Sequence, residues 1–266
     1  MIKDIVDIME RVRAERPLVH HITNYVTVND CANITLCAGG SPVMTDEVKD
    51  IEDMVKLASA VVLNIGTLNE RTIRSMIFAG KEANKAKIPV ILDPVGAGAT
   101  KYRTDTVRKI LKEVKVSIIK GNEGEIGFLA GMGGKVIGVD SAGSGGFDAA
   151  TEFAKTTGTV VAMTGKEDII SDGKTTVLVN SGHELLGMVS GTGCMVSSVT
   201  GCCAAVTDNM LMAAVAALTV FTTAGELAAK NSLGPGTFKQ NLMDALQNLT
   251  RQELVIRGSA KDITKM

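Results

Sequence analysis

The sequence predicts an α/β protein with a mostly parallel central sheet and helices on both faces. Three observations predict it. Short aliphatic and β-branched runs recur at residues 18–22, 60–65, 89–92, 116–119 and 159–163. Helical 3.6-residue periodicity fills intervals between them, at 70–87, 103–114 and 146–157. Several runs, such as Ala60-Val61-Val62-Leu63, show no polar alternation, so both of their faces are covered.

Each further element has its own reason. Ile2, Ile5, Ile8, Met9 and Val12 share one helical face, and Pro17 closes that opening helix. Residues 168–172 and 175–179, joined by Gly173-Lys174, read as a hairpin at a sheet edge. From Gly191 onward the pattern is helical throughout, with helices near 191–206, 208–229 and 236–249. No Pro- or Ser-rich linker, repeat or charge block interrupts the chain, so one domain is expected over residues 1–266.

Composition excludes several function classes. Hydrophobic residues make up 45% and charged residues 21%, which rules out a disordered chain. The 28 Lys and Arg balance 29 Asp and Glu, leaving no electrostatic drive toward nucleic acid or an anionic membrane. Aromatics are 3%, with no Trp, too few for a base-stacking platform. Cys31, Cys37, Cys194, Cys202 and Cys203 form no Cys-x-x-Cys pair, and three histidines give no zinc spacing. That usage points to a reducing cytoplasm. The first residues are charged throughout and do not read as a signal peptide. The apolar stretches 185–207 and 210–225 are long enough to raise a membrane question. The first is rich in Gly, Ser and Thr and has no basic flank, so both are read as buried helices.

In a parallel sheet, ligands bind beyond the carboxyl ends of the strands. The residues there are Asn64-Ile65-Gly66-Thr67, Asp93-Pro94-Val95-Gly96-Ala97-Gly98, Lys120-Gly121-Asn122 and Thr164-Gly165. No Walker loop or G-x-G-x-x-G is present. The candidate anion site is Ser190-Gly191-Thr192-Gly193-Cys194, which opens the long apolar helix. Its glycines and free first-turn amides suit a phosphoryl group, although the same residues also read as a plain Gly-rich start to a core helix. Asp93 ends a buried strand, as a magnesium–phosphate carboxylate or a turn former. Asn122 and Glu125 fit a capping box, and Glu125 alternatively holds Mg²⁺ through water. His20 and His21 point to opposite strand faces and read as structural hydrogen-bonders. Met44, in a segment read as loop, is placed to line an apolar pocket.

The segments Ile22-Thr23-Asn24-Tyr25-Val26, Ser41-Pro42-Val43-Met44, Leu63-Asn64-Ile65-Gly66-Thr67, Asp93-Pro94-Val95-Gly96-Ala97-Gly98-Ala99-Thr100, Gly121-Asn122 with Glu125, Gly138-Val139-Asp140-Ser141 and Gly191-Thr192-Gly193-Cys194 fall in order along the chain. Together they resemble the hydroxyethylthiazole kinase family, thiamine-salvage enzymes of the ribokinase-like superfamily. The resemblance covers nearly the whole chain. It implies a three-layer ribokinase-like fold forming a single kinase domain, commonly assembled as a homotrimer with interfacial active sites. It also implies ATP-dependent phosphorylation of the primary hydroxyl of 4-methyl-5-(2-hydroxyethyl)thiazole, with Mg²⁺ as cofactor. Carried over by motif, Cys194 orients the alcohol and accepts its proton, standing where sugar kinases of the superfamily have Asp. Gly191, Thr192 and Gly193 form the anion hole. Asp93 and Glu125 match the magnesium positions, Lys120 and Thr164 the ATP positions, and Asn24, Met44, Gly66 and Gly191 positions around the thiazole. Lys120 stands where the family commonly has Arg. The residues alone leave three alternatives open: another small-alcohol kinase of the superfamily, a hydrolase pairing Cys194 with a histidine, and a nucleotide-binding sensor.

Overall fold

The computed structural model describes residues 1–132 and 145–264, so Gly138-Val139-Asp140-Ser141 lie outside the described residues. Strands β1 (Leu18–Ile22), β2 (Ser41–Met44), β3 (Ala60–Asn64), β4 (Val90–Asp93), β5 (Ile118–Asn122) and β6 (Val160–Thr164) run parallel. Antiparallel β7 (Asp168–Ser171), β8 (Thr176–Val179) and β9 (Ala260–Asp262) extend the sheet. The order is β2-β1-β3-β4-β5-β6-β7-β8-β9.

Strand alternation divides the core into two. Val19, Val62, Ile91 and Ile118 face one layer, and Val61, Leu63, Leu92 and Ile119 face the other. The first layer holds α1 (Ile2–Glu15), α2 (Val28–Ala38), α8 (Thr192–Ala204), α9 (Met210–Ala229) and α10 (Pro235–Asn248). The second holds α3 (Val48–Leu57), α4 (Glu70–Lys85), α5 (Lys101–Glu113) and α7 (Gly145–Thr157). Short α6 (Glu123–Gly127) follows β5, and α11 (Arg251–Arg257) precedes β9. Helix α9 is long and apolar enough to cross a membrane, but 78% of its apolar window is buried inside the fold. It is a core helix, as its Ala-rich, nearly uncharged composition requires when all its faces are covered.

The expected strands and helices appear at nearly the expected positions, with three differences. Residues 41–44 are an edge strand rather than loop, and Pro42 is tolerated there because an edge leaves one ladder unused. Strand β9 pairs with β8, so the hairpin is not the sheet edge and the chain after Gly191 is not wholly helical. Helices α2 and α3 were not legible as helices. Helix α2 begins Val28-Asn29-Asp30 with no side-chain cap, and its stability comes from packing on α8 and α10. At the other end of the molecule, the Arg13 guanidinium donates to Leu246 O (3.1 Å), Gln247 O (3.3 Å) and Leu249 O (2.8 Å), satisfying the last carbonyls of α10.

Candidate active site

The carboxyl ends of β3, β4, β5 and β6 deliver Asn64, Asp93, Lys120 and Thr164 to one end of the sheet. Asn64 and Asp93 are register partners on adjacent parallel strands, so their side chains lie side by side. Helix α8 crosses above them. It starts there because Gly191 takes a left-handed φ of 94°, and a Cβ at that position would sit 2.5 Å from Thr27 Cγ2. Glycine is therefore required twice over, by conformation and by space. The first-turn N–H groups of α8 have no intrahelical acceptors, and no acidic side chain occupies that turn. An anion fits this position. The Thr192 hydroxyl turns away from it, donating to Leu186 O at 2.8 Å.

A buried polar network joins these elements. Asn24 Nδ2 donates to Asn64 Oδ1 (3.0 Å), and Asn64 Nδ2 donates to Asp93 Oδ2 (2.9 Å). Both amide groups also lie 3.3 Å from Cys194 Sγ, which receives them as an acceptor. Ser197 Oγ, one α8 turn on, donates to Asp93 Oδ2 at 2.7 Å. Lys120 Nζ donates to Gly193 O (3.0 Å) and faces Asp93 Oδ2 at 3.5 Å. Asp93 is 1% exposed and Lys120 4%. Burial alone would depress the Lys120 ammonium, but Asp93, Glu125 and Cys194 hold its pKa above the ordinary lysine value.

Glu125 accepts from Asn122 N (2.8 Å) through Oε2 and from Gly96 N (2.7 Å) through Oε1, while Asn122 Oδ1 caps Glu125 N at 2.9 Å. The capping-box reading is thus present in full, extended by a bond to the loop after Asp93. Burial raises the Glu125 pKa, opposed by those two N–H groups. Among the described residues no group of three or more His, Cys, Asp or Glu forms a metal cage. Among the described residues the side-chain hydrogen bonds to the Asp93 carboxylate fall on Oδ2, which leaves Oδ1 as a hard oxygen donor, and Glu125 is close enough to feel the Asp93 charge. One or two carboxylates completed by substrate phosphates and water is a usual magnesium arrangement, so the donor set fits that ion.

The structure brings together Asn24, Gly66, Asp93, Lys120, Gly191, Gly193 and Cys194. Gly66 N donates to Asn64 Oδ1 at 2.9 Å, and a Cβ on Gly66 would meet Asn24 at 2.9 Å. Thr164 stands apart from this network. With Thr192, Gly193, Val196 and Phe221 it lines an adjoining cavity of about 840 Å³, large enough for a nucleotide. Met44 lies at the end of β2, half-buried, in register with His21 and outside the network. The histidines do not serve Cys194. His21 binds Val19 O (3.0 Å) and Ser198 Oγ (3.1 Å), His20 binds Thr45 O (2.9 Å), and His183 accepts from Leu185 N. The hydrolase alternative therefore lacks its base among the described residues.

Asn64 is the central residue that sequence reading did not single out. Its one signal is its place at the end of a fully buried strand, the same signal that marked Asp93.

Residues 9–252 match the family described as the hydroxyethylthiazole kinase family. The hydroxyethylthiazole kinase of Alkaliphilus oremlandii is 50% identical over 266 residues, covering 98% of each chain. The solved hydroxyethylthiazole kinase of Pyrococcus horikoshii superposes with a TM-score of 0.92 at 42% identity, covering 98% of this chain and 99% of that one. A ribokinase-like superfamily protein from Enterococcus faecalis, at 12% identity and a TM-score of 0.66 over 92% of this chain and 95% of its own, shares the fold.

Proposed function

Because the chain belongs to the hydroxyethylthiazole kinase family, we propose that it phosphorylates the primary alcohol of 4-methyl-5-(2-hydroxyethyl)thiazole with ATP and that Cys194 is its proton acceptor. The observation that carries this reading is the convergence of two amide donors, from Asn24 and Asn64, on Cys194 Sγ beside the free N-terminus of α8. A sulfur that receives two N–H donors is set as an acceptor, which is what deprotonating an alcohol needs.

In the reaction the alcohol oxygen bonds to the γ-phosphorus, the bond from that phosphorus to the β–γ bridging oxygen breaks, and ADP leaves. Cys194 Sγ takes the hydroxyl proton. Backbone N–H groups of Gly191, Thr192 and Gly193 face the transferring phosphoryl oxygens, where charge accumulates. Lys120, held between Asp93 and Gly193 O, supplies a fixed positive charge. Asp93 and Glu125 would hold Mg²⁺, which neutralises phosphate charge when bound. Thr164 contacts ATP in the adjoining cavity, and Asn24, Met44, Gly66 and Gly191 surround the thiazole.

The working unit is one kinase domain spanning residues 1–266, assembled as a cytoplasmic homotrimer with active sites between subunits. Exposed Tyr25 and Val26, at 80% and 63%, directly follow Asn24 and support a subunit contact there. Five free cysteines support a reducing compartment. ADP formation over a panel of small alcohols tests the activity: the thiazole alcohol is expected to be turned over best. Thiazole-independent ATP hydrolysis, or preference for a sugar or pyrimidine alcohol, would refute it. Light scattering that returned a monomer mass would refute the trimer.

A further inference from the structure

Arg103, the third residue of α5, donates to three backbone carbonyls on two separate loops. Nη1 reaches Val95 O at 2.7 Å and Ile65 O at 2.9 Å, and Nη2 reaches Gly66 O at 2.9 Å. The loops leave β3 and β4 just beyond Asn64 and Asp93. A single ladder bond, Ile65 N to Asp93 O at 3.2 Å, continues past the strand ends. Arg103 joins the loops where that ladder stops.

Two peptide groups are gripped on both sides. The Val95 carbonyl is held by Arg103, while the N–H of the same peptide, at Gly96, is held by Glu125 Oε1 at 2.7 Å. The Ile65–Gly66 peptide is held at its carbonyl, Ile65 O, by Arg103 and at its N–H, on Gly66, by Asn64 Oδ1. Gly96 has a φ of 74°, and a Cβ there would press on Arg103 Cδ at 3.0 Å, so glycine gives the side chain room to cross the turn.

We infer that Arg103 is a positioning residue for phosphoryl transfer, locking the β3 loop beside the alcohol to the β4 loop beside the phosphate. This rests on the kinase reading above. The loop after β3 carries Gly66 and orients Asn64, which touches Cys194 Sγ. The loop after β4 directly follows Asp93. Holding the two together fixes the distance between proton acceptor and phosphate site, and small misplacements of reacting groups cost large factors in rate. A planar fork with several donors is suited to this task. A lysine ammonium is a point charge on a flexible stem and does not bridge both loops in one geometry.

The test uses full-length Arg103→Ala and Arg103→Lys. Three readouts are thiazole-dependent ADP formation, thermal melting and the rate at which a thiol reagent alkylates Cys194, followed by mass spectrometry. Arg103→Ala is expected to melt cooperatively, to lose about tenfold or more in kcat with a smaller change in KM, and to alkylate faster at Cys194. Millimolar guanidinium is expected to restore part of its rate without speeding wild type, and Arg103→Lys to remain impaired. Wild-type kcat and alkylation in Arg103→Ala would overturn the inference. So would a rate loss that follows the unfolded fraction and does not respond to guanidinium. If wild type made no ADP with the thiazole alcohol, the kinase reading would fall instead, and the alkylation comparison would still judge the loop lock.

Discussion

At Cys194 the geometry asks for a proton acceptor rather than for sulfur. The two amide donors at 3.3 Å would meet a carboxylate from the same place, so Cys194→Asp is expected to stay active. Cys194→Ala is expected to lose about 10²–10⁴-fold in kcat, the usual range for a removed general base, with residual rate from the anion site. A dead Cys194→Asp together with a covalent substrate adduct on wild type would overturn this. Asp93 carries a second prediction. Asp93→Asn is expected to abolish turnover, and also to destabilise the fold by about 3–5 kcal/mol, because it strips the buried Lys120 ammonium of its counter-ion. The double change Asp93→Asn with Lys120→Met is expected to regain stability in denaturant melts but not activity. An unaltered melt in the single variant would mean that the pair contributes nothing. Asp93, Cys194 and Glu125 were legible in the sequence because each sits where a strand or helix end announces itself. Asn64 stood at the same kind of strand end, but its pairing with Asp93 follows only from the register of β3 on β4, and Ser197 was not legible because only one turn of α8 brings it to Asp93.

At the scale of elements, the start of α8 is where local backbone and chemistry meet. Gly191 and Gly193 look equivalent in the sequence, and the structure separates them. A Cβ on Gly191 combines a φ of 94° with a 2.5 Å approach to Thr27 Cγ2. A Cβ on Gly193, at an ordinary φ, meets Lys120 Nζ at 3.3 Å, a side-chain tip that has to give by only a few tenths of an ångström. Gly191→Ala is therefore expected to cost more stability in melts than Gly193→Ala, by roughly 1–3 kcal/mol of backbone strain plus the clash. The reverse order would show that α8 can start elsewhere. Most elements were readable because buried parallel strands and amphipathic helices carry strong periodic signals. Strand β2 was missed because four residues with a proline hold no period, and β9 because its pairing partner lies some eighty residues away along the chain. Helix α2 was missed because its place is set by α8 and α10, which local pattern cannot report.

Across the whole molecule, two buried groups on different strands set opposing pH dependences of stability. Burial pushes His21 down to about 4, below its ordinary value near 6.5. Between those pH values the unfolded chain binds a proton at His21 that the folded chain excludes, so acid destabilises the fold. His20, also depressed by burial, acts in the same direction. Burial pushes Asp168 up to about 7, against the ordinary carboxylate value near 4, opposed by the Gly165 N–H and by the charge of Lys120. There the folded chain keeps a proton that the unfolded chain has released, so rising pH destabilises the fold over nearly the same window. Each shift corresponds to about 3–4 kcal/mol, of opposite sign, and the two nearly cancel between about pH 4 and pH 7. Asp168→Asn breaks the cancellation. The amide oxygen still accepts from Gly165 N, now bonded at 3.1 Å to Asp168 Oδ1, so the turn survives. The variant is expected to melt higher than wild type above pH 7, to lose that advantage as the pH falls toward 4, and to show the acid loss from His21 unmasked. Melts across that range measure it directly: an equal gain at both ends would mean that Asp168 is not protonated in the folded protein and that its cost, if any, is steric.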